Sequence, residues 1–261
     1  MAWYLFPAVI AAGFAAGFIN TLAGSGSLVT LPLLIFLGLP ANVANGTNRV
    51  AIVMQNIVAG TSFQRQGVLD LPGSLRLAVP AILGAVVGAQ IAVNLDERAM
   101  ERAIGALMFF MLVVILVQPK RWLRGSLERL QGWPNWWQFG LMFLIGIYGG
   151  FIQAGVGIFL LAGLVLGIGY DLVKANAVKI AIVFFFTLSA LFVFIFNGQV
   201  IWGIGLLLGV GNMLGAWVGT KFAVEKGALW VRRLLIAVVL VSGAELLGLF
   251  DLIFQAISGA G

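Results

Sequence analysis

The sequence predicts an all-α, polytopic transmembrane helix bundle made of two inverted-topology repeats, each interrupted by a broken or re-entrant half-helix. Three observations carry this: the composition, a series of apolar runs of membrane length, and a Gly-rich break that occurs twice. Of 261 residues, 62% are hydrophobic and 9% charged, and the mean hydropathy is +1.10. Soluble domains carry about a quarter charged residues, so no water-soluble fold covers this much apolar surface. The chain is expected to live in a bilayer. The first apolar run starts at residue 2 with no basic n-region before it, which reads as a retained span rather than a signal peptide.

The apolar runs fall at about 3–22, 28–38, 43–63, 72–93, 99–117, 137–154, 158–169, 173–196, 200–220 and 229–250. A span needs about 20 residues at 1.5 Å each. Most runs meet that, whereas 28–38 and 158–169 are too short. Both short runs follow a glycine-rich break, "AGSGS" at 23–27 and "AGVGI" at 154–158. Shifting the chain on itself by 131 residues aligns these breaks. Ala23, Gly24, Gly26, Leu33, Gly38, Ala44 and Asn45 then fall on Ala154, Gly155, Gly157, Leu164, Gly169, Ala175 and Asn176. That recurrence predicts a duplication: a first transmembrane repeat over 1–117, a basic linker over 118–135, and a second repeat over 136–261. The short runs are either full crossings or halves of re-entrant hairpins, so the number of crossings stays open.

Charge decides orientation. If each half crosses an odd number of times, the linker's Lys120, Arg121, Arg124 and Arg129 lie on the same side as Arg65, Arg76, Lys174, Lys221, Lys226, Arg232 and Arg233. Only Arg98 and Arg102 then lie opposite. The positive-inside rule favours that arrangement. It places the linker in the cytoplasm, makes the repeats inverted and puts both termini outside. Trp122, Trp133, Trp136 and Trp137 flank the linker as an interfacial aromatic belt. The sequence pI near 10.2 follows from these loops and implies no nucleic-acid partner.

Non-helical backbone is tolerated in hydrocarbon only where protein or a watery cavity surrounds it. Inverted-repeat transporters use such breaks to aim half-helix N-termini at an anionic substrate. Ser25, Gly26 and Ser27 would open one half-helix, with Ser27 as its N-cap. Gly155 and Gly157 would open the other. The next helix of the first copy carries Asn45, Asn48 and Gln55 on one stripe, with Thr47 and Arg49 beside it. In the second copy Asn176 and Lys179 share the matching face. Charges inside a span are costly and mark function. The expected site is an anion cradle of Gly24, Ser25, Gly26, Ser27, Asn45, Thr47, Asn48, Arg49, Gly155, Gly157, Asn176 and Lys179. Blander readings stand beside it. The glycines can serve close packing alone, as expected for Gly13/Gly17, Gly146/Gly150 and Gly211/Gly215/Gly219. Arg49 and Lys179 can snorkel to an interface, and Asn45 and Asn176 can cap the helices that follow. Glu245 is the one deeply placed carboxylate, able to carry a coupling proton or to pair with a cation.

The chain contains no Cys and no His. That removes disulfides, haem, iron–sulfur clusters and most zinc chemistry. The carboxylates are scattered and no Walker loop is present, so neither a catalytic centre, nor a metal, nor a cofactor is expected.

The stretch "AGSGSLVTLPLLIFLGLPANVANGTNRVA" (23–51) resembles the first repeat motif of the sulfite exporter TauE/SafE family of membrane transporters. "GVGIFLLAGLVLGIGYDLVKANAVK" (155–179) resembles that family's second copy. Gly24, Gly26, Asn45, Gly46, Thr47 and Asn48 in the first copy, and Gly155, Gly157, Asn176 and Lys179 in the second, match motif positions. The family's first motif is richer in glycine than here, where Ser25 and Ser27 intervene. The resemblance implies a multi-pass protein of the bacterial cytoplasmic membrane that exports a small sulfur-containing anion, sulfite or an organosulfonate such as sulfoacetate. Alternating access, with one repeat rocking against the other, is the implied mechanism. An anion channel or a facilitator of other small organic anions is the alternative. The expected partners are that anion and the bilayer; a homodimer is compatible with both readings.

Overall fold

The structure, a computed structural model, describes the backbone of residues 5–116 and 132–246 and the side chains of 6–107 and 132–225, Ala23 excepted. The described residues form helices and turns throughout: α1 (Leu5–Ala23), α2 (Ser27–Phe36), α3 (Ala41–Arg65), α4 (Leu71–Val93), α5 (Glu97–Leu116), α6 (Trp136–Phe151), α7 (Val156–Ala162) with a π-helical turn at Gly163–Ile168, α8 (Leu172–Phe196) and α9 (Trp202–Leu246). Local chemistry sets the boundaries. The Asp70 side chain accepts from Gly73 N at the start of α4, a reciprocal Asn135/Gln138 box opens α6, and Asp171 accepts from Val173 N and Lys174 N to open α8.

The 131-residue period reappears in backbone geometry. The left-handed glycines Gly24, Gly38 and Gly67 recur as Gly155, Gly169 and Gly198. The starts of α1, α3 and α4 recur as the starts of α6, α8 and α9. Left-handed φ is open to glycine without steric cost, so these residues fix where each copy turns. One expectation fails: the runs at 200–220 and 229–250 are not separate helices, because α9 continues from Trp202 to Leu246. The charged residues between those runs include no Pro, and good helix formers such as Glu225, Lys226 and Ala228 carry the helix across.

The expected glycine packing is present, and it has a direction. A Cβ on Gly17 would lie 2.2 Å from Asn212 O, and one on Gly215 would lie 2.0 Å from Phe14 O. α1 and α9 therefore touch backbone to backbone and run parallel. α4 and α6 do the same: Gly88 meets Ile147 O, Gly146 meets Ala81 O and Gly150 meets Ala85 O. α3 also runs along α9, from Thr47 beside Ile201 to Ser62 beside Thr220. α8 runs along α4, from Tyr170 beside Asp70 to Gln199 beside Val93. α3 and α8 run antiparallel, with Gly46 against Gln199 and Gly60 against Ile180. Two interleaved bundles result: α1, α3 and α9 point one way, and α4, α6 and α8 the other.

Among the described residues three helices are long and apolar enough to cross a membrane, over Leu71–Val93, Leu172–Phe196 and Trp202–Glu225; Phe6–Leu22, Ser27–Phe36 and Val156–Ile168 are shorter apolar helices. Large apolar side chains such as Phe36, Trp136 and Phe196 point outward, as a lipid-facing surface requires. α3 is too polar for lipid. It buries Asn45, Thr47, Asn48, Arg49, Gln55 and Asn56 inside the bundle. Valine at Gly150 or Gly215 is expected to force the paired backbones apart, seen as loss of a monodisperse peak in detergent. Gly140→Ala, where an added Cβ meets nothing within 4 Å, is expected to leave thermal stability unchanged or raise it by about 0.5–1 kcal/mol.

Candidate functional site

A helix that stops inside a membrane leaves unsatisfied carbonyls and the negative end of its dipole where no water can meet them. α1 stops at Ala23 and α6 at Phe151. Each end is met by the cation of the opposite bundle. Lys179 of α8 donates to Asn20 O (3.1 Å) and Thr21 O (3.0 Å) at the end of α1, and to Asn176 Oδ1 (2.8 Å) beside it. Arg49 of α3 donates to Gly149 O (3.1 Å) and Gly150 O (2.6 Å) at the end of α6, and to Asn45 Oδ1 (3.4 Å). Asn45 Nδ2 adds a bond to Phe151 O (2.7 Å). The Arg49 guanidinium also lies 4.7 Å from the centroid of the Phe194 ring. Exposures of 0% for Arg49 and 1% for Lys179 rule out snorkelling for both. Their charges face helix carbonyls, which explains cations with no acid beside them.

The two breaks meet. Gly157 N donates to Gly24 O (3.2 Å), and a Cβ on Gly24 would lie 2.3 Å from Gly157 Cα. Beside this contact is a small cavity of about 10 Å³, bounded by Asn20, Gly24, Asn56, Gln153, Val156, Gly157, Lys179, Ile180 and Val183. That is room for about one water molecule. Around it Asn20 Nδ2 donates to Gln55 Oε1 (3.2 Å), Gln55 Nε2 to Asn56 Oδ1 (3.4 Å), and Gln153 to the Thr187 hydroxyl. Asn56 Nδ2 has no hydrogen-bond partner, and the residue is 2% exposed. A buried amide N–H₂ without an acceptor is costly, and an anion is an acceptor.

Of the residues expected from sequence, Gly24, Gly157 and Lys179 border this cavity. The others take supporting positions. Ser27 is the first residue of α2 and not its cap: Gly26 holds that place and no side chain caps the helix. Ser27 Oγ instead accepts from Asn48 Nδ2 (3.1 Å), while the Thr30 hydroxyl donates to Asn48 Oδ1 (2.7 Å), so this trio fastens α2 to α3. Thr47 Oγ1 accepts from Ile201 N (2.9 Å). Gly26 packs on Ala16, and Gly155 makes the left-handed turn before α7. Ser25 Oγ and Asn176 Nδ2 are buried without a partner. Asn45 and Asn176 lie inside their helices rather than at the caps, which are Pro40 and Asp171. Glu245 lies on α9, and its side chain is outside the described residues. Sequence reasoning missed Asn20, Asn56 and Gln153. Their signal was present: Asn20 and Gln153 are lone polar residues just before Gly24 and Gly155. Among the described residues no cluster of His, Cys, Asp or Glu suits a metal ion.

An apolar bundle with broken helices, inward-facing cations and a polar cavity where the breaks meet has the build of a membrane transporter. The sulfite exporter TauE/SafE family profile matches residues 9–246, and the chain belongs to that family. It is 31% identical over 247 residues to "Probable membrane transporter protein ORF9" of Sinorhizobium sp, covering 95% of this chain and 94% of that one. It is 27% identical to a "Probable membrane transporter protein" of Haemophilus influenzae (90% and 91% covered) and 30% identical to "Probable membrane transporter protein YfcA" of Escherichia coli K12 (89% and 86% covered). No solved structure matches the chain.

Removing Arg49 leaves Gly149 O and Gly150 O unpaired, and removing Lys179 leaves Thr21 O, since Asn20 O also accepts from Gly24 N, at about 1–3 kcal/mol per carbonyl. Arg49→Ala is therefore expected to lower the melting temperature in detergent sharply, and Arg49→Lys, which keeps one donor group, to recover part of the loss.

Proposed function

We propose that the protein moves a small sulfur-containing anion, sulfite or an organosulfonate, out across the bacterial cytoplasmic membrane by alternating access around the cavity where Gly24 meets Gly157. The observation that carries this reading is the unpartnered Asn56 amide, which lines the same cavity as the Lys179 ammonium. Together they offer hydrogen-bond donors and positive charge to a sulfonate or sulfite oxygen. At about one water's volume the cavity has to widen to admit such an anion, as an occluded intermediate would.

On this reading residues 1–117 and 136–261 are inverted repeats joined by a cytoplasmic segment over 118–135, with both termini outside. The opposite directions of α3 and α8 and the recurring left-handed glycines support it. The rocking units, however, are better taken as the interleaved bundles than as the repeats. The tightest glycine contacts, α1 on α9 and α4 on α6, each join one repeat to the other. Arg49 and Lys179 then clasp one moving bundle to the other. An inside-negative potential drives an anion outward at about 2.3 kcal/mol per charge per 100 mV, so export needs no coupling ion.

Proteoliposomes under an imposed potential test this. Saturable sulfite or sulfoacetate efflux that grows with inside-negative voltage is expected. Flux that ignores voltage but follows a proton gradient would overturn uncoupled export and point to Glu245, and single-channel currents would indicate a channel. Asn56→Ala is expected to weaken anion binding about 10-fold or more, the worth of a hydrogen bond to a charged group, with little loss of melting temperature.

A further inference from the structure

α9 carries an exposed apolar row, Trp202, Leu206, Val210, Leu214 and Val218, on its lipid-facing side. The row ends beside Trp217, and the next exposed side chains are Lys221 and Glu225. α3 changes in step: Ile57 is exposed and apolar, and Arg65 is exposed and charged. An apolar face that gives way through Trp to charge marks the depth of phospholipid headgroups. At that depth a groove of about 440 Å³ lies between the two helices. Ser62 and Gln66 in its wall are already paired: the Ser62 and Thr220 hydroxyls bond at 2.6 Å, and Gln66 Nε2 donates to Ser62 Oγ at 3.0 Å. The charged groups in the wall, Arg65, Lys221 and Glu225, are not paired with one another. The Lys221 ammonium lies 3.9 Å from the centroid of the Trp217 ring, which holds it at headgroup depth. Among the described residues no ion pair joins Glu225 to Lys221 or to Arg65.

Two cations and a carboxylate in one groove select among occupants. A free inorganic anion would meet the cations but set its charge against Glu225. A phosphatidylglycerol headgroup brings a phosphate but no cation for the carboxylate. A phospholipid whose headgroup ends in a primary amine meets every group, and its chains continue onto the apolar row. We propose that the α3–α9 groove is a binding site for such an amine-bearing phospholipid, its phosphate between Arg65 and Lys221, its ammonium at Glu225 and an acyl chain along Leu214 and Val218. The site needs only a bilayer around the chain. It stands apart from the cavity at Gly24 and Gly157 and makes no demand on the anion carried there. Because α3 and α9 belong to one bundle, the bound lipid ties their ends together.

Native mass spectrometry and thermal unfolding of the delipidated full chain in maltoside micelles test the assignment, with phosphatidylethanolamine, phosphatidylglycerol and inorganic phosphate as probes. A tightly held phosphatidylethanolamine that raises the melting temperature is expected, with phosphatidylglycerol held more weakly and inorganic phosphate without effect. Arg65→Ala and Lys221→Ala are each expected to weaken phosphatidylethanolamine roughly fivefold. Glu225→Gln is expected to weaken it about two- to fivefold while leaving phosphatidylglycerol as tight or tighter, a reversal that a general loss of structure does not produce. Equal affinity for the two lipids in the unaltered protein overturns the proposal. So does inorganic phosphate binding as tightly as the lipid, the result expected of a site for a soluble phosphate. Retention of phosphatidylethanolamine that both cation variants leave unchanged also overturns it, as lipid adhering elsewhere on the apolar face would behave.

Discussion

The fold depends on how two helices are allowed to end inside a membrane. α1 and α6 stop where no water can satisfy their last carbonyls, and each is met by a cation reaching from the other bundle: Lys179 on Asn20 O and Thr21 O, Arg49 on Gly149 O and Gly150 O. The cation answers both the orphan carbonyls and the negative end of the helix dipole. Without that exchange, breaks at Gly24 and Gly155 would be untenable in hydrocarbon, and the cavity between them would not exist.

On the proposed reading this pairing unites structural and functional charge in one set of groups. Arg49 and Lys179 are buried charges that hold the bundles together, and Lys179 also borders the cavity. On the anion-transport reading proposed above, an arriving anion would compete with carbonyl oxygens for the same ammonium hydrogens. Binding and loosening of a clasp become one event, which is the differential interaction a ligand needs to shift a conformational equilibrium. The amide cluster of Asn20, Gln55, Asn56 and Gln153 is neutral, so on the same reading it would meet an anion's oxygens without adding charge that must itself be buried.

Packing complements this. Glycine contacts lock α1 to α9 and α4 to α6 at backbone distance, which makes stiff parallel pairs. The two bundles face each other through the antiparallel α3 and α8, where side chains and the cavity make up most of the seam and backbone meets backbone at Gly24/Gly157 and Gly46/Gln199. Motion is easiest across the seam with the fewest backbone contacts, and the seam is where the polar residues are.

The sequence by itself determined the class of fold and the place of both helix breaks. Composition required a membrane bundle, apolar run lengths marked most helices, and the 131-residue recurrence located both breaks. Asn45, Arg49, Asn176 and Lys179 stood out because charge and amide are expensive in hydrocarbon. The tertiary structure decided what each of these touches. Arg49 and Lys179 read as cations without partners because a sequence shows neighbouring side chains and not the carbonyl ends of a helix some 100 or 158 residues away. Ser27 read as a cap because spacing cannot say which residue turns first. Asn56 passed unnoticed among the polar residues of α3, since only packing leaves one buried amide of several without a partner. The continuous α9 likewise arose because a charged segment between apolar runs suits a loop and a helix equally, and local propensity favours the helix.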